Sequence, residues 1–388
     1  MNVLSGEHTS QDSDKPVIHA ALRHRLGFSL TLLSLLFGCS GGEDAAAQSD
    51  DSSNSKRAAA ISGPVRVPCG IFLNGTHRDL PWVKGKMATI KWPEAEVTKG
   101  VFDFAPLEAS QMDPTQRIAV RMLGIEPDHV VSEAGVTWNW IDPNPNHSEC
   151  VKPVGCRRPV PWDEHTMIRY EQLLTALSKT EINIGGITAP LAEHPNLESI
   201  MLNLPGWGRI RELGFDIEDL PGYSRTLLVD ATVRALELQA EKFPETPITV
   251  QFFEVDDGAE PPLWEVLRDT ILNDPQLDRV GFYMENLAHS VVNRVETFRP
   301  NIEAAQPLIT SMDQTYTAFQ ALTSWDRPTS SYATKVAGGS PPKAIEYALE
   351  TFGARYFEIY AQDIDAATDG NHPEWQPAFS AVAQRLCD

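Results

Sequence analysis

Three acidic residues, Glu285, Asp313 and Glu358, each lie in a short run where apolar and polar residues alternate. In Arg279–Glu285, Val280, Phe282 and Met284 make one face, and Tyr283 and Glu285 the other. In Pro307–Asp313, Leu308, Thr310 and Met312 oppose Ser311 and Asp313. In Arg355–Gln362, Phe357, Ile359 and Ala361 oppose Glu358, Tyr360 and Gln362. Side chains of a strand alternate between its faces, so each run reads as a strand with one apolar and one polar face. The same alternation gives Asn74, Lys91, Arg121 and Asn203 to the polar faces of Gly70–Asn74, Met87–Trp92, Arg117–Leu123 and Ser199–Leu204. Crowded carboxylates repel one another, which raises at least one pKa and separates an acid from a base. An acid that protonates a leaving oxygen, beside a carboxylate that attacks or activates water, is what glycosidic-bond hydrolysis requires.

Such side chains need a frame that brings strand ends together. With Ile248–Phe253 the candidate strands complete a set of eight, and longer amphipathic segments separate them: Glu164–Thr180, Ser224–Phe243, Pro262–Asn273, Ser290–Ala305, Pro342–Phe352 and Glu374–Leu386. Eight such units in about 320 residues predict an α/β fold, a single (β/α)8 barrel, whose chemistry sits at the C-terminal ends of its strands. A doubly wound open sheet is the alternative, but Gly70–Gly75 (GIFLNG) is not the glycine-rich phosphate loop such a sheet carries after its first strand. The longest connection, Gly124–Asp163, carries Trp138, Trp140 and Trp162 and the pair Cys150 and Cys156. A long structured loop on a barrel is expected to build the site. Of nine tryptophans, Trp82, Trp92, Trp138, Trp140, Trp162, Trp207 and Trp325 fall at or beyond strand ends, which predicts an aromatic rim suited to sugar faces.

The N-terminus reads as an export signal. Arg23, His24 and Arg25 precede an apolar run, Leu26–Gly38, of about 13 residues, too short to span a bilayer and right for a signal core. Leu36-Phe37-Gly38-Cys39 resembles the bacterial lipobox, which implies cleavage before Cys39 and acylation of its thiol. Residues 1–38 are therefore expected to be signal, 39–64 a Ser/Ala/Gly/Asp-rich tether without apolar periodicity, and 65–388 the barrel. This places the domain in the bacterial cell envelope, on the membrane through the Cys39 lipid, with an outer-membrane, periplasmic or surface-facing position. Of five cysteines, Cys39 leaves four, and an exported chain pairs them. Cys150 with Cys156 and Cys69 with Cys387 is the expected pairing. In a barrel the last helix ends where the first strand begins, which would bring Cys387 to Cys69. No zinc spacing or tight ligand motif marks a metal site, and no cofactor is expected. The net charge of -21 argues against a nucleic-acid partner.

Ile90-Lys91-Trp92-Pro93-Glu94-Ala95-Glu96 running on to Gly100-Val101-Phe102-Asp103-Phe104 resembles the second-strand signature of clan A glycoside hydrolases, the bacterial β-galactosidase-like superfamily. Pro161-Trp162-Asp163, Leu202-Asn203-Leu204-Pro205-Gly206-Trp207-Gly208 and Tyr356-Phe357-Glu358-Ile359-Tyr360 are similar to segments of those barrels too. The resemblance implies a (β/α)8 barrel acting on carbohydrate, with a Glu at the end of strand four as acid/base and a Glu at the end of strand seven as nucleophile. Here Gly206-Trp207-Gly208 is followed by Arg209, with Glu212 the nearest carboxylate, and the seventh candidate strand offers Asp313. The primary expectation is a membrane-anchored glycoside hydrolase with Asp313 as nucleophile or base, Glu285 or Glu212 as acid, and Glu358 as a third catalytic candidate. Asn74, Lys91, Arg121, Trp138, Trp140, Asn203, Trp207, Tyr283 and Tyr360 would position the sugar. The alternative is a non-catalytic saccharide-binding lipoprotein on the same barrel.

Overall fold

The computed structural model describes residues 66–123, 126–141, 156–202, 204–206, 217–251, 257–287, 315–321, 323–329 and 339–388, with only the backbone at 123, 140, 141, 156, 217, 285 and 286. All belong to the compact unit Ser62–Asp388. The strands are β1 (Gly70–Asn74), β2 (Gly85–Lys91), β3 (Arg117–Leu123), β4 (Trp138–Ile141), β5 (Cys156–Pro159), β6 (Glu181–Ile184), β7 (Ile187–Pro190), β8 (Leu197–Met201), β9 (Ile248–Gln251), β10 (Val280–Leu287), β11 (Thr317–Ala321) and β12 (Tyr356–Tyr360). Eight of them close a parallel barrel in the order β1-β12-β11-β10-β9-β8-β3-β2. The other four form two antiparallel hairpins, β4 with β5 and β6 with β7.

Alternation divides the strands as expected. Ile71, Leu73, Ile118, Val120, Phe357 and Ile359 join the large core between sheet and helices. Phe72, Met87, Ala119, Met201, Tyr283 and Tyr356 fill the barrel itself as a separate cluster. Gly281 lets that interior pack, because a Cβ there would stand 2.6 Å from the Tyr316 ring.

The helices follow their capping and spacing signals. In α3 (Glu164–Lys179), after the one-turn α1 (Trp92–Ala95) and α2 (Asp128–Val131), Met167, Tyr170, Leu173, Leu174 and Leu177 give one buried stripe. Asp163 caps it by accepting from Thr166 N, and its other carboxylate oxygen accepts from Thr137 N at 2.8 Å. Replacing Leu173 with Ala would remove a fully buried side chain, a change that costs about 2–5 kcal/mol. The remaining helices are α4 (Arg225–Lys242), α5 (Leu263–Asn273), α6 (Pro341–Phe352), α7 (Ala361–Thr368) and α8 (Trp375–Leu386). α6 opens on two prolines and ends on Gly353 in the left-handed region. Among the described residues no helix is long and apolar enough to cross a membrane.

Cys69 and Cys387 are disulfide-bonded, joining the segment before β1 to the end of α8. Cys150 lies outside the described residues, as does the side chain of Cys156, which opens β5.

One strand is displaced. The seventh barrel strand is β11, Thr317–Ala321, not Pro307–Asp313, which lies outside the described residues. Both stretches alternate, so local pattern does not separate them. In β11 the interior face carries Ala318 and Gln320, and Asp313 lies outside the described residues. Gln362 is displaced too, since β12 gives way to α7 at Ala361.

Candidate functional site

The C-terminal ends of the strands form a polar mouth above a buried ionic floor. Arg121 on β3 donates to Gln320 Oε1 at 3.2 Å and meets Glu358 Oε2 at 3.5 Å. Tyr283 Oη lies 2.6 Å from Gln320 Oε1 and 2.8 Å from Glu358 Oε2, so its single proton is shared between two acceptors. Tyr356 Oη donates to Glu358 Oε1 at 3.1 Å. Burial first, then the Glu358 charge, pushes the Tyr356 hydroxyl well above its ordinary range, so it stays a donor. Glu358 is 1% exposed. A buried carboxylate that pairs with Arg121 and accepts from two tyrosines belongs to the floor and not to a wall open to ligand.

Above this layer the mouth reaches solvent. Thr89 and Lys91 on β2 are exposed, and Asn74, Gln251 and Tyr360 are half-buried at their strand ends. Asn74 pairs in register with Tyr360 across β1 and β12. Lys91 is held by Glu94 at 2.8 Å. Glu126, just past β3, accepts from Gly206 N at 2.8 Å and ties that loop to the segment after β8.

The other expected site residues divide cleanly. Asp313, Glu212, Asn203, Trp207, Cys39 and Cys150 lie outside the described residues. Glu285 and Trp140 are placed by backbone only, Glu285 in β10 two positions beyond Tyr283, where the register with β11 slips. The structure does bring Arg121, Tyr283 and Glu358 together, with Asn74, Lys91 and Tyr360 around the same opening. The tryptophan rim needs correcting. Trp82 lies flat on Phe379 at 4.7 Å, near the start of β2, and Trp92 and Trp325 are buried. Their apolar area outweighed any rim position. Of the described tryptophans Trp138 alone is exposed.

The second-strand signature resolves into a scaffold. Glu96 is fully buried and accepts from Trp92 Nε1 at 2.8 Å and from Gly100 N at 2.7 Å, and it is paired with Arg169 of α3. Trp, Glu and Gly at that spacing fold the segment after β2 back on itself. Sequence reasoning missed Gln320, Gln251 and the Glu126–Gly206 clamp. Gln320 was legible in principle, since Thr317-Ala318-Phe319-Gln320-Ala321 alternates, but an amide carries no catalytic signal.

No family model and no curated protein matches the sequence. Solved structures do match it. Endo-glycoceramidase II from Rhodococcus sp. matches at 12% identity over 71% of this chain and 64% of that one, with TM-score 0.38. A β-galactosidase from Rahnella sp. R3 matches at 13% identity over 70% of this chain and 45% of that one, with TM-score 0.39. Morphinone reductase matches at 11% identity over 63% and 62%, with TM-score 0.31. The chain thus spans less than two thirds of each of these proteins, and their names cover more than one chemistry. The strand order and the closed parallel sheet make this chain a (β/α)8 barrel.

Proposed function

We propose that this chain is an extracytoplasmic saccharide-binding barrel, held on a bacterial membrane by lipid on Cys39, that takes its ligand in the C-terminal mouth. The observation that carries this reading is the composition of the interior face. β11 presents Gln320 to the interior, in register with Glu358 on β12, and its described residues, Thr317–Ala321, include no carboxylate. An amide neither attacks an anomeric carbon nor takes a proton from water. After strand four the sequence offers Arg209 instead of an acid. Neutral hydrogen-bonding groups remain at the opening, Asn74, Thr89, Gln251 and Tyr360, and they suit sugar hydroxyls, which both donate and accept.

Hydrolysis is the second reading, favoured by one observation: Glu285 stands at the C-terminal end of β10. With Asp313 or Glu212 it would supply the pair, at about 5–5.5 Å for a retaining enzyme or 6.5–9.5 Å for an inverting one. The test is a glycan panel applied to the chain purified from membranes in detergent, read both for binding and for release of reducing ends. Binding without release is expected. Turnover that disappears in Glu285→Gln would establish the second reading, and absence of binding to every glycan would sink both. Labelling of the chain by radioactive palmitate, lost in Cys39→Ser, checks the anchor.

A further inference from the structure

At the end of the barrel opposite the mouth, the turns leading into β2 and β3 and the end of α8 border a cavity of about 580 Å³. Cavities of about 300–1,000 Å³ are the size that takes small molecules. The turn before β2 is closed by Val83 N on Leu80 O, and the turn before β3 by Gln116 N on Asp113 O, each at 2.9 Å. Lys84 extends the sheet, with its N–H on Ile71 O at 2.8 Å and its carbonyl taking Arg117 N at 3.1 Å. Gly70, at the start of β1, has φ +111, and a Cβ there would stand 2.7 Å from Lys84 Cβ. The glycine thus leaves room for the lysine stem, and the lining side chains rise from backbone that the sheet already fixes.

Two lining side chains are buried with a polar atom left unpaired. Trp82, 6% exposed, lies flat on Phe379 of α8, and its Nε1–H has no acceptor. Gln116, 5% exposed, donates to Arg78 O at 3.5 Å, and its Oε1 accepts from nothing. Buried polar groups are nearly always hydrogen-bonded, so a spare donor and a spare acceptor beside one cavity need a reason. The charges are unpaired too. Lys84 and Asp79 both line the cavity, yet neither side chain has an ion pair or hydrogen bond among the described residues. Asp113 also lines it but is engaged by its own turn, accepting from Thr115 N at 2.8 Å. Opposite charges that border one space without meeting leave room for a molecule that carries both.

We propose that this cavity is a second ligand site, which takes a zwitterion with an apolar side chain, a free amino acid or a short peptide. Its carboxylate would meet Lys84 and Trp82 Nε1, and its ammonium Asp79 and Gln116 Oε1. The assignment follows from the inventory: ammonium and indole only donate, while carboxylate and amide oxygen accept. Hydrogen bonds to a charged partner are about twice as strong as neutral ones, which favours a doubly charged ligand over a neutral one. Leu80, Pro81 and Val83 supply the apolar wall for the side chain. A neutral sugar would leave both Lys84 and Asp79 unanswered, so this site differs in chemistry from the mouth and stands independently of the saccharide reading. Barrels of this type place catalysis at the other face, so the ligand here is held and not converted.

The test is equilibrium dialysis of the detergent-purified chain against radiolabelled L-leucine, L-phenylalanine and L-leucyl-L-leucine. N-acetyl-L-leucine and L-leucinamide, each lacking one charge, serve as competitors. At least one zwitterion should bind, and each single-charge analogue should compete at least about tenfold more weakly than unlabelled L-leucine. Lys84→Met and Asp79→Asn should each weaken binding about tenfold while keeping the melting temperature of the free chain, since neither side chain has a partner to lose. Trp82→Phe keeps a ring against Phe379 and removes the N–H, so it should weaken binding without changing glycan binding at the mouth. Tighter binding of the amino acids than of the dipeptide would identify a free amino acid as the ligand, and the reverse a peptide. Absence of binding by every zwitterion, or wild-type affinity in both Lys84→Met and Asp79→Asn, would overturn the proposal.

Discussion

At the N-terminal end of the barrel, Glu198 on β8 accepts from Cys69 N and from Arg66 and Arg117, each at 3.0 Å. At the C-terminal end, Glu358 on β12 takes Arg121, Tyr283 and Tyr356. Both ends bury a carboxylate among cations and other donors, yet their surroundings differ. The Glu198 cluster is fastened by the Cys69–Cys387 disulfide, and its two arginines are part exposed. The Glu358 cluster is buried throughout and lies beneath an opening edged by Thr89, Lys91 and Tyr360. The same alternation of side chains thus makes a plug at one end and the floor of a site at the other. The two differ in what surrounds them: a disulfide braces the first, and exposed or half-buried polar side chains edge the second.

Several substitutions would break or sharpen this contrast. Glu358→Ala should have the largest effect, about 3–5 kcal/mol in urea denaturation, because it removes a buried partner of Arg121, Tyr283 and Tyr356 at once. It should also weaken saccharide binding, as the floor loses its order. A loss below about 1 kcal/mol would mean that the pair does not hold this layer.

Asp363 of α7 anchors the segment after β11 at the mouth end, accepting from Ser324 Oγ and the backbone N–H groups of Trp325 and Asp326. Burial pushes its carboxyl up to about 6 from the usual 3.8, against the pull of those hydrogen bonds. A carboxyl raised on folding costs nothing while both states are protonated, below about pH 4, and costs fully above the folded value. Its stability contribution therefore falls as pH rises between those limits, by about 3 kcal/mol in total. The wild type should gain stability relative to Asp363→Asn as urea midpoints are followed from about pH 7 down to about pH 5. A constant difference would remove Asp363 as the titrating group.

Cys387→Ser should cost about 2–4 kcal/mol, since the bond closes a loop over a sequence separation of 318. Its melting temperature should drop while saccharide affinity at the far end stays unchanged. A parallel loss of binding would show that the two ends are coupled. Lys91→Met should have the smallest effect, within about 0.5 kcal/mol, because the Lys91–Glu94 pair is exposed on both sides.

Much of the frame was legible before any coordinates. β1 and β3 have the expected bounds, and the helices at 164, 225, 263, 341 and 375 start within a residue of expectation. Those segments carry strong periodicity and clear caps. The meeting of Cys69 and Cys387 followed from closure of a βα array. The site was less legible. Arg121, Tyr283 and Glu358 were assigned to the interior by alternation alone, but their mutual pairing was not, because it joins strands far apart in sequence. The seventh strand was misplaced because Pro307–Asp313 and Thr317–Ala321 both alternate, and local pattern cannot say which of two candidates pairs with β10 and β12.

The sequence by itself determined the α/β alternation, the inward and outward faces of most strands, and a barrel that brings its ends together. These depend on periodicities of a few residues, which a linear chain displays openly. Tertiary structure alone decided that Glu358 meets Arg121, that Thr317–Ala321 is strand seven with Gln320 facing inward, and that Trp138 is exposed while Trp82 and Trp92 are covered. Each of those outcomes depends on which residues from distant strands meet in space, and on the desolvation and pairing that follow when they do.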